Sequence, residues 1–204
     1  LEAIAKTEKT MICSTGMSTE SEIKQAIDFL NNINAQFILL HCNSTYPAPY
    51  RDVNLRYLQH LSTINHGGIV GYSGHERGTS IPVAAITLGA KIIEKHFTVD
   101  QSMEGNDHKV SLLPDDFKRM VAEIRAVEES IGTPDDRLLT QGEMLNRETL
   151  AKSIIACKTI DQGEVITREM LDIKSPGQGL QPMYMDILIG RKAKRFLKMG
   201  DCFF

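Results

Sequence analysis

Two stretches carry paired side chains suited to chemistry: Ser73 and His75 in GYSGH, and Glu94 and His96 in KIIEKHF. Each pair is spaced i, i+2 at the end of an apolar run. Residues two apart on a strand share a face, so each run directs both members of its pair into one space. Imidazole nitrogen is a common ligand of divalent transition metals, and two imidazoles leave room for water and substrate. His75 and His96 therefore read as a candidate metal pair, with two histidines bonded inside the core or a loop as the alternative. Glu94 fits an orienting group, a general base or an acceptor for a substrate hydroxyl. Its plain alternative is a salt bridge to Lys95, although Lys95 should point to the opposite face.

Other polar residues divide by context. In CSTGMS, Ser14, Thr15 and Gly16 lie at a strand end before a helix, where hydroxyls and free N–H groups suit a phosphate or carboxylate. The run Ser18 to Glu22 also resembles a capping box, which would give this turn a purely structural role. His41 follows four apolar residues and reads as a hydrogen-bonded core residue rather than a ligand. His60 and His66 read as surface residues. His108 lies on a Gly-containing loop, where its neighbour Asp107 is the better candidate for binding hydroxyls.

These residues need a scaffold that gathers strand ends. From Lys9 to about Thr133, strand and helix patterns alternate four times: TMICS then SEIKQAIDFLNNI, QFILLHC then DVNLRYLQHLSTI, GIVGYSGH then SIPVAAITLGA, KIIEKHF then DDFKRMVAEIRAVEESIG. Such alternation predicts parallel strands covered by helices. A unit length of ~31 residues fits a (β/α)8 barrel, and an open doubly wound sheet has similar spacing. Polar residues at the ends of several strands favour a barrel mouth. Residues 134–150 read as a polar linker with a helical turn, and 151–204 as a small β-rich module.

Composition narrows the class. The 204 residues are 42% hydrophobic and 24% charged, enough for one or two cored domains. A net charge of −3 disfavours nucleic acid as the main partner. No apolar run reaches the ~20 residues of a membrane span, and no signal peptide opens the chain, so a cytoplasmic protein is expected. Cys13, Cys42, Cys157 and Cys202 form no CxxC pair, which fits reduced, mostly buried thiols. The start at Leu1 and the apolar ending GDCFF suggest a fragment cut at both ends.

STGM, HCNSTYPAPYRDVNL, GYSGHERG, GAKIIEKHFT and GNDHKVSLLPDDF resemble, in order and spacing, the sialic acid synthase family, which includes N-acetylneuraminate, legionaminate and pseudaminate synthases and the spore-coat polysaccharide protein E group. KSIIACKTIDQGEVIT and KSPGQG resemble its antifreeze-like (SAF) domain. The resemblance implies an α/β chain: barrel units five to eight of a TIM barrel over 1–133, then a SAF domain over 151–204. It implies condensation of phosphoenolpyruvate with an N-acetylated amino sugar, using a divalent metal, manganese in the first instance with magnesium or cobalt as alternatives. On the matching positions, His75 and His96 bind the metal, Glu94 and Asp107 contact the sugar together with Tyr46, and Ser14 and Ser73 bind phosphoenolpyruvate. An asparagine of some members is here Ser44, with Asn43 one place earlier. An arginine that reaches a partner subunit's sugar site in a swapped homodimer is here Ser175. Both departures bear on sugar identity. Another metal-dependent barrel aldolase or isomerase, or a non-catalytic carbohydrate-binding protein, are the rival readings.

Overall fold

Short apolar runs between amphipathic segments set the order of elements, and the computed structural model describes all residues 1–204. Residues Leu1–Thr133 and Pro134–Phe204 form two units. In the first, a helical turn α1 (Glu2–Ala5) precedes β1 (Met11–Ser14), α2 (Glu20–Asn32), β2 (Phe37–Cys42), a turn α3 (Tyr50–Val53) and α4 (Tyr57–Ile64). Then follow β3 (Val70–Gly74), α5 (Ser80–Thr87), β4 (Ile93–Lys95) and α6 (Pro114–Ile131). The strands are all parallel and lie in chain order, β1-β2-β3-β4. A doubly wound sheet reverses its strand order at a switch point. Sequential order with helices on one face is the arc of a (β/α)8 barrel, which decides what periodicity left open.

The pleat assigns the two faces. Leu39, Val70 and Tyr72 pack with Ile23, Ile27 and Leu58 of the helices in one apolar cluster. In α2, Ile23, Ile27 and Leu30 recur at i, i+4 and i+7, the spacing of one helical stripe. Burying such a side chain fully contributes about 1.5–3 kcal/mol. On the opposite face Leu40 is buried, while Ile12 of β1 is 52% exposed. Helix starts follow local chemistry: Thr19 and Glu22 form a reciprocal capping box on α2, and Pro114 stands in the first turn of α6, where its missing N–H costs nothing.

Three expectations need correction. The helix expected over DVNLRYLQHLSTI is broken, because Asn54 takes a left-handed conformation (φ 48, ψ 55) that Asn tolerates better than most residues. The carbonyls of Asp52 and Val53 instead meet Asn43 Nδ2 and His41 Nε2. The strand in KIIEKHF is only Ile93–Lys95; beyond it, Leu112 N donates to His96 O at 2.8 Å as the following loop returns. The expected linker contains a ten-residue helix, α7 (Gln141–Leu150), with a Thr140/Glu143 capping box.

α7 belongs with the second unit, where its end meets the KSPGQG loop: Gly177 N donates to Glu148 O, and Ser175 Oγ to Leu150 O. There, β5 (Ser153–Ala156) pairs antiparallel with β6 (Leu171–Lys174), and α8 is a turn over Met185–Leu188. Isolated bridges such as Ile160 to Leu197 complete the β framework. Ile154, Ala156, Ile160, Leu171 and Phe203 form its core. All four cysteines are free and half-buried, less enclosed than expected.

Candidate active site

The register sets Ser73 beside Glu94 and Gly74 beside Lys95. Continuing the alternation past the ladder turns His75 and His96 to the same face as Ser73 and Glu94. Their ring centroids are 5.0 Å apart. His75 is buried, and its Nδ1 lies 2.8 Å from the carbonyl oxygen of Asn43. A carbonyl can only accept, so Nδ1 carries a proton, and in the neutral ring Nε2 is the nitrogen with the free lone pair. Cys42 Sγ lies 3.8 Å from the same Nδ1. His96 Nδ1 is 4.0 Å from Asp107 Oδ2, whose side chain is largely exposed on the loop after β4.

Tyr46 completes an aromatic group, with its ring 4.2 Å from His75 and 5.5 Å from His96 between centroids. Partial desolvation first, and then proximity to Cys42, Asp107 and Glu94, push its phenol pKa above the ordinary value, so its hydroxyl is a donor near neutral pH. Ser73 Oγ donates to Glu94 Oε1 at 2.7 Å, and Ser14 Oγ reaches the same oxygen at 3.3 Å. Side chains from three of the four strands, β1, β3 and β4, thus meet at one carboxylate oxygen. Asn43 uses its side chain on the backbone: Nδ2 donates to Asp52 O, and Oδ1 accepts from Thr45 N at 3.0 Å. Ser44, on the loop after β2, packs against Gly16 on the loop after β1, where an added Cβ would collide with Ser44 Oγ. A cavity of about 490 Å3 opens beside these loops, lined by Thr15, Glu20, His41, Asn43, Ser44 and Tyr57. It lies next to the imidazole group rather than around it.

No three His, Cys, Asp or Glu side chains form a metal cage. The two imidazoles lie 5.0 Å apart between centroids at an interplanar angle of 64°, and the bond of His75 Nδ1 to Asn43 O leaves Nε2 as the His75 nitrogen able to ligate, a donor set that fits an open site rather than a closed cage. Of the four remaining histidines, His66 is exposed, as expected, and the other three make hydrogen bonds within the fold. His41 is buried, its Nε2 lies 2.6 Å from Val53 O, and burial holds its pKa down. His108 Nδ1 meets Thr98 Oγ1 at 2.7 Å. His60 does more than the expected surface residue: its Nε2 bonds Glu20 Oε1 at 2.8 Å, tying α4 to α2.

Sequence reasoning missed a group on the outer face. Lys95 Nζ meets Glu76 Oε1 at 3.0 Å, with both side chains fully buried, and Tyr72 donates to Glu76 Oε2 at 2.6 Å. The available signal was alternation, which turned Lys95 away from Glu94 but named no partner for it.

The fold and site define a class: half of a (β/α)8 barrel with a polar centre at its strand ends, followed by a small β module. Residues 1–136 match the model of the NeuB family and residues 151–202 that of the SAF domain. The chain belongs to the NeuB family. N,N'-diacetyllegionaminic acid synthase of Campylobacter jejuni is 39% identical over 98% of the chain and 60% of that protein. N-acetylneuraminate-9-phosphate synthase of Homo sapiens is 38% identical over 94% of the chain and 54% of that protein. The crystal structure of N-acetylneuraminic acid synthetase from Leptospira borgpetersenii serovar Hardjo-bovis superposes with a TM-score of 0.64 at 35% identity, covering 73% of this chain and 53% of that one. The chain therefore spans little more than half the length of these relatives.

Proposed function

We propose that this chain contributes half of the active site of a synthase condensing phosphoenolpyruvate with an open-chain N-acetylated amino sugar. The observation that carries this reading is the His75–His96 pair, 5.0 Å apart and flanked by Tyr46 and Glu94. The enol carbon of phosphoenolpyruvate bonds to the sugar aldehyde carbon, and the aldehyde oxygen takes up a proton. Water adds to the carbon bearing the phosphate ester, and breaking its C–O bond releases phosphate and a nonulosonic acid. A divalent cation held by His75 and His96, manganese in the first instance, would supply Lewis acidity at the aldehyde oxygen.

The chain's own residues do the rest. Asn43 O keeps the His75 proton on Nδ1. Glu94, already accepting from Ser73 and Ser14, binds a sugar hydroxyl or relays a proton. Tyr46 closes one side of the imidazole pair and donates its phenol hydrogen, and Asp107 accepts hydroxyls from the exposed loop. Ser14 and Ser73, matching the family's phosphoenolpyruvate-binding serines, would bind phosphoenolpyruvate. Closure of an eight-stranded barrel needs four more β/α units beside the open edges of β1 and β4. The SAF domain caps the barrel of a second subunit in a swapped homodimer, with Ser175 at the position that faces the sugar; a fully active monomer by light scattering would refute that pairing.

The test is phosphate release from phosphoenolpyruvate with N-acetylmannosamine in the presence of manganese, measured on the full-length synthase in which four further β/α units complete this half-barrel. Sugar-dependent release that His75→Ala abolishes, with kcat falling more than KM rises, supports the proposal. Undiminished manganese-dependent turnover in that variant refutes it. Aldol cleavage or isomerisation without phosphate release would favour the aldolase reading, and a folded protein that binds sugar but neither manganese nor phosphoenolpyruvate would favour a carbohydrate-binding role.

A further inference from the structure

Both imidazoles lie one residue past the strands that carry them, since β3 ends at Gly74 and β4 at Lys95. The ladder no longer sets their spacing. At this level the outer face holds a buried polar group, with the side chains of Glu76 and Lys95 fully enclosed. Glu76, the residue after His75, folds its carboxylate back beneath the strand, where Tyr72 donates to one oxygen and Lys95 to the other. Lys95, the residue before His96, also donates to the Glu76 backbone carbonyl. Gly74 makes the fold-back possible: a Cβ there would stand 2.7 Å from Glu76 Oε2 and 2.7 Å from the Tyr72 ring.

Such a pair needs a reason. Replacing a buried ion pair by apolar residues of similar size is often neutral or stabilising, so burial alone does not explain it. Other bonds at this level tie each histidine to its own neighbour: Ala48 N donates to His75 O, and Leu112 N to His96 O. The Glu76–Lys95 contact links the two histidine-bearing strand ends to each other, gripping both the side chain and the main chain of Glu76. We propose that Glu76 and Lys95, braced by Tyr72, are positioning residues that hold His75 and His96 at chelating distance. This inference rests on the divalent-cation reading of the imidazole pair.

The test compares wild type with the apolar variant Tyr72→Phe/Glu76→Met/Lys95→Met, chosen because a lone Lys95→Met could simply unfold the chain. Manganese affinity is read by titration calorimetry and ring spacing by crystallography, on proteins shown to be folded by thermal melting. The expected result is a melting temperature near that of wild type and manganese binding weakened by roughly 10–100-fold, the usual effect of losing groups that orient metal ligands. The rings should also part from the 5.0 Å centroid spacing or adopt more than one arrangement. Unchanged affinity in a folded variant would overturn the proposal. If wild type binds no manganese, the cation reading fails separately, and rings still 5.0 Å apart in the apolar variant overturn the positioning role. If the apolar variant fails to fold, Glu76→Gln, which keeps the shape but removes the charge opposite Lys95 and replaces one of the two acceptor oxygens used by Lys95 and Tyr72 with an NH2 donor, is measured instead; full affinity in Glu76→Gln together with an unchanged ring spacing overturns the proposal.

Discussion

The two faces of the β3–β4 strand ends hold polar groups of opposite character within a few residues of each other. On the inner face, Glu94 is exposed and shares its oxygen with two serines, and His96 is partly open. On the outer face, Glu76 and Lys95 are sealed from water, with every buried side-chain polar atom partnered. A carboxylate in water keeps the freedom to bind, release and exchange protons. One enclosed with a lysine and a tyrosine is committed to a single geometry, because leaving it would strand a charge. Tyr72 shows the commitment: burial and then its bond to Glu76 push its phenol far above the usual range. The same residue types thus do different work according to solvent access.

That contrast is easiest to break from the outer face. Lys95→Met leaves the Glu76 carboxylate buried with only a tyrosine, and should cost about 3–5 kcal/mol in urea or thermal unfolding. A loss below about 1 kcal/mol would mean that water or rearrangement rescues the charge, and that the outer group is less closed than drawn. Glu94→Gln on the inner face should do the reverse, changing unfolding by roughly 0.5 kcal/mol or less while lowering turnover roughly 10²–10⁴-fold. Unchanged kinetics would return Glu94 to a structural role.

Gly74→Ala probes the join between the faces. Its methyl group would meet both Tyr72 and Glu76, and a loss of about 1–3 kcal/mol is expected from overpacking, measured by chemical denaturation. Thr19→Ala, which removes the capping box of α2, should cost about 0.5–2 kcal/mol by the same measurement.

The smallest effect sharpens the contrast with an exposed cluster. Bonds from His60, Lys24 and Tyr57 hold the Glu20 carboxyl down to about 2, against an ordinary 4.5. A depressed folded pKa gives stability that is present above 4.5 and lost as pH falls toward 2. His60→Ala should therefore flatten the acid limb of the stability curve slightly, and a large change would show that this surface cluster is less screened than its exposure implies.

Much of the site was legible in the chain itself. Spacing i, i+2 in GYSGH and EKHF predicts four polar side chains on one face, because pleating alternates side chains along a strand. The capping pairs were equally local. The break at Asn54 was not, because neither Asn43 nor His41, which take the carbonyls just before it, is near it in sequence. Helix α7 looked like linker because its sequence is mostly polar and its Met144, Leu145 and Leu150 stay exposed, and the contacts at its end lie 25 residues or more further on.

Sequence alone fixed the alternation of strands and helices, the motif residues and the side of each strand on which they fall, since these depend on neighbours a few positions apart. Only the tertiary structure decided that the strands run in barrel order, that the Asn43 carbonyl sets the His75 tautomer, and that Lys95 answers Glu76 rather than Glu94. Those are choices among partners distant in the chain, made by which groups burial brings together and which it leaves no water to satisfy.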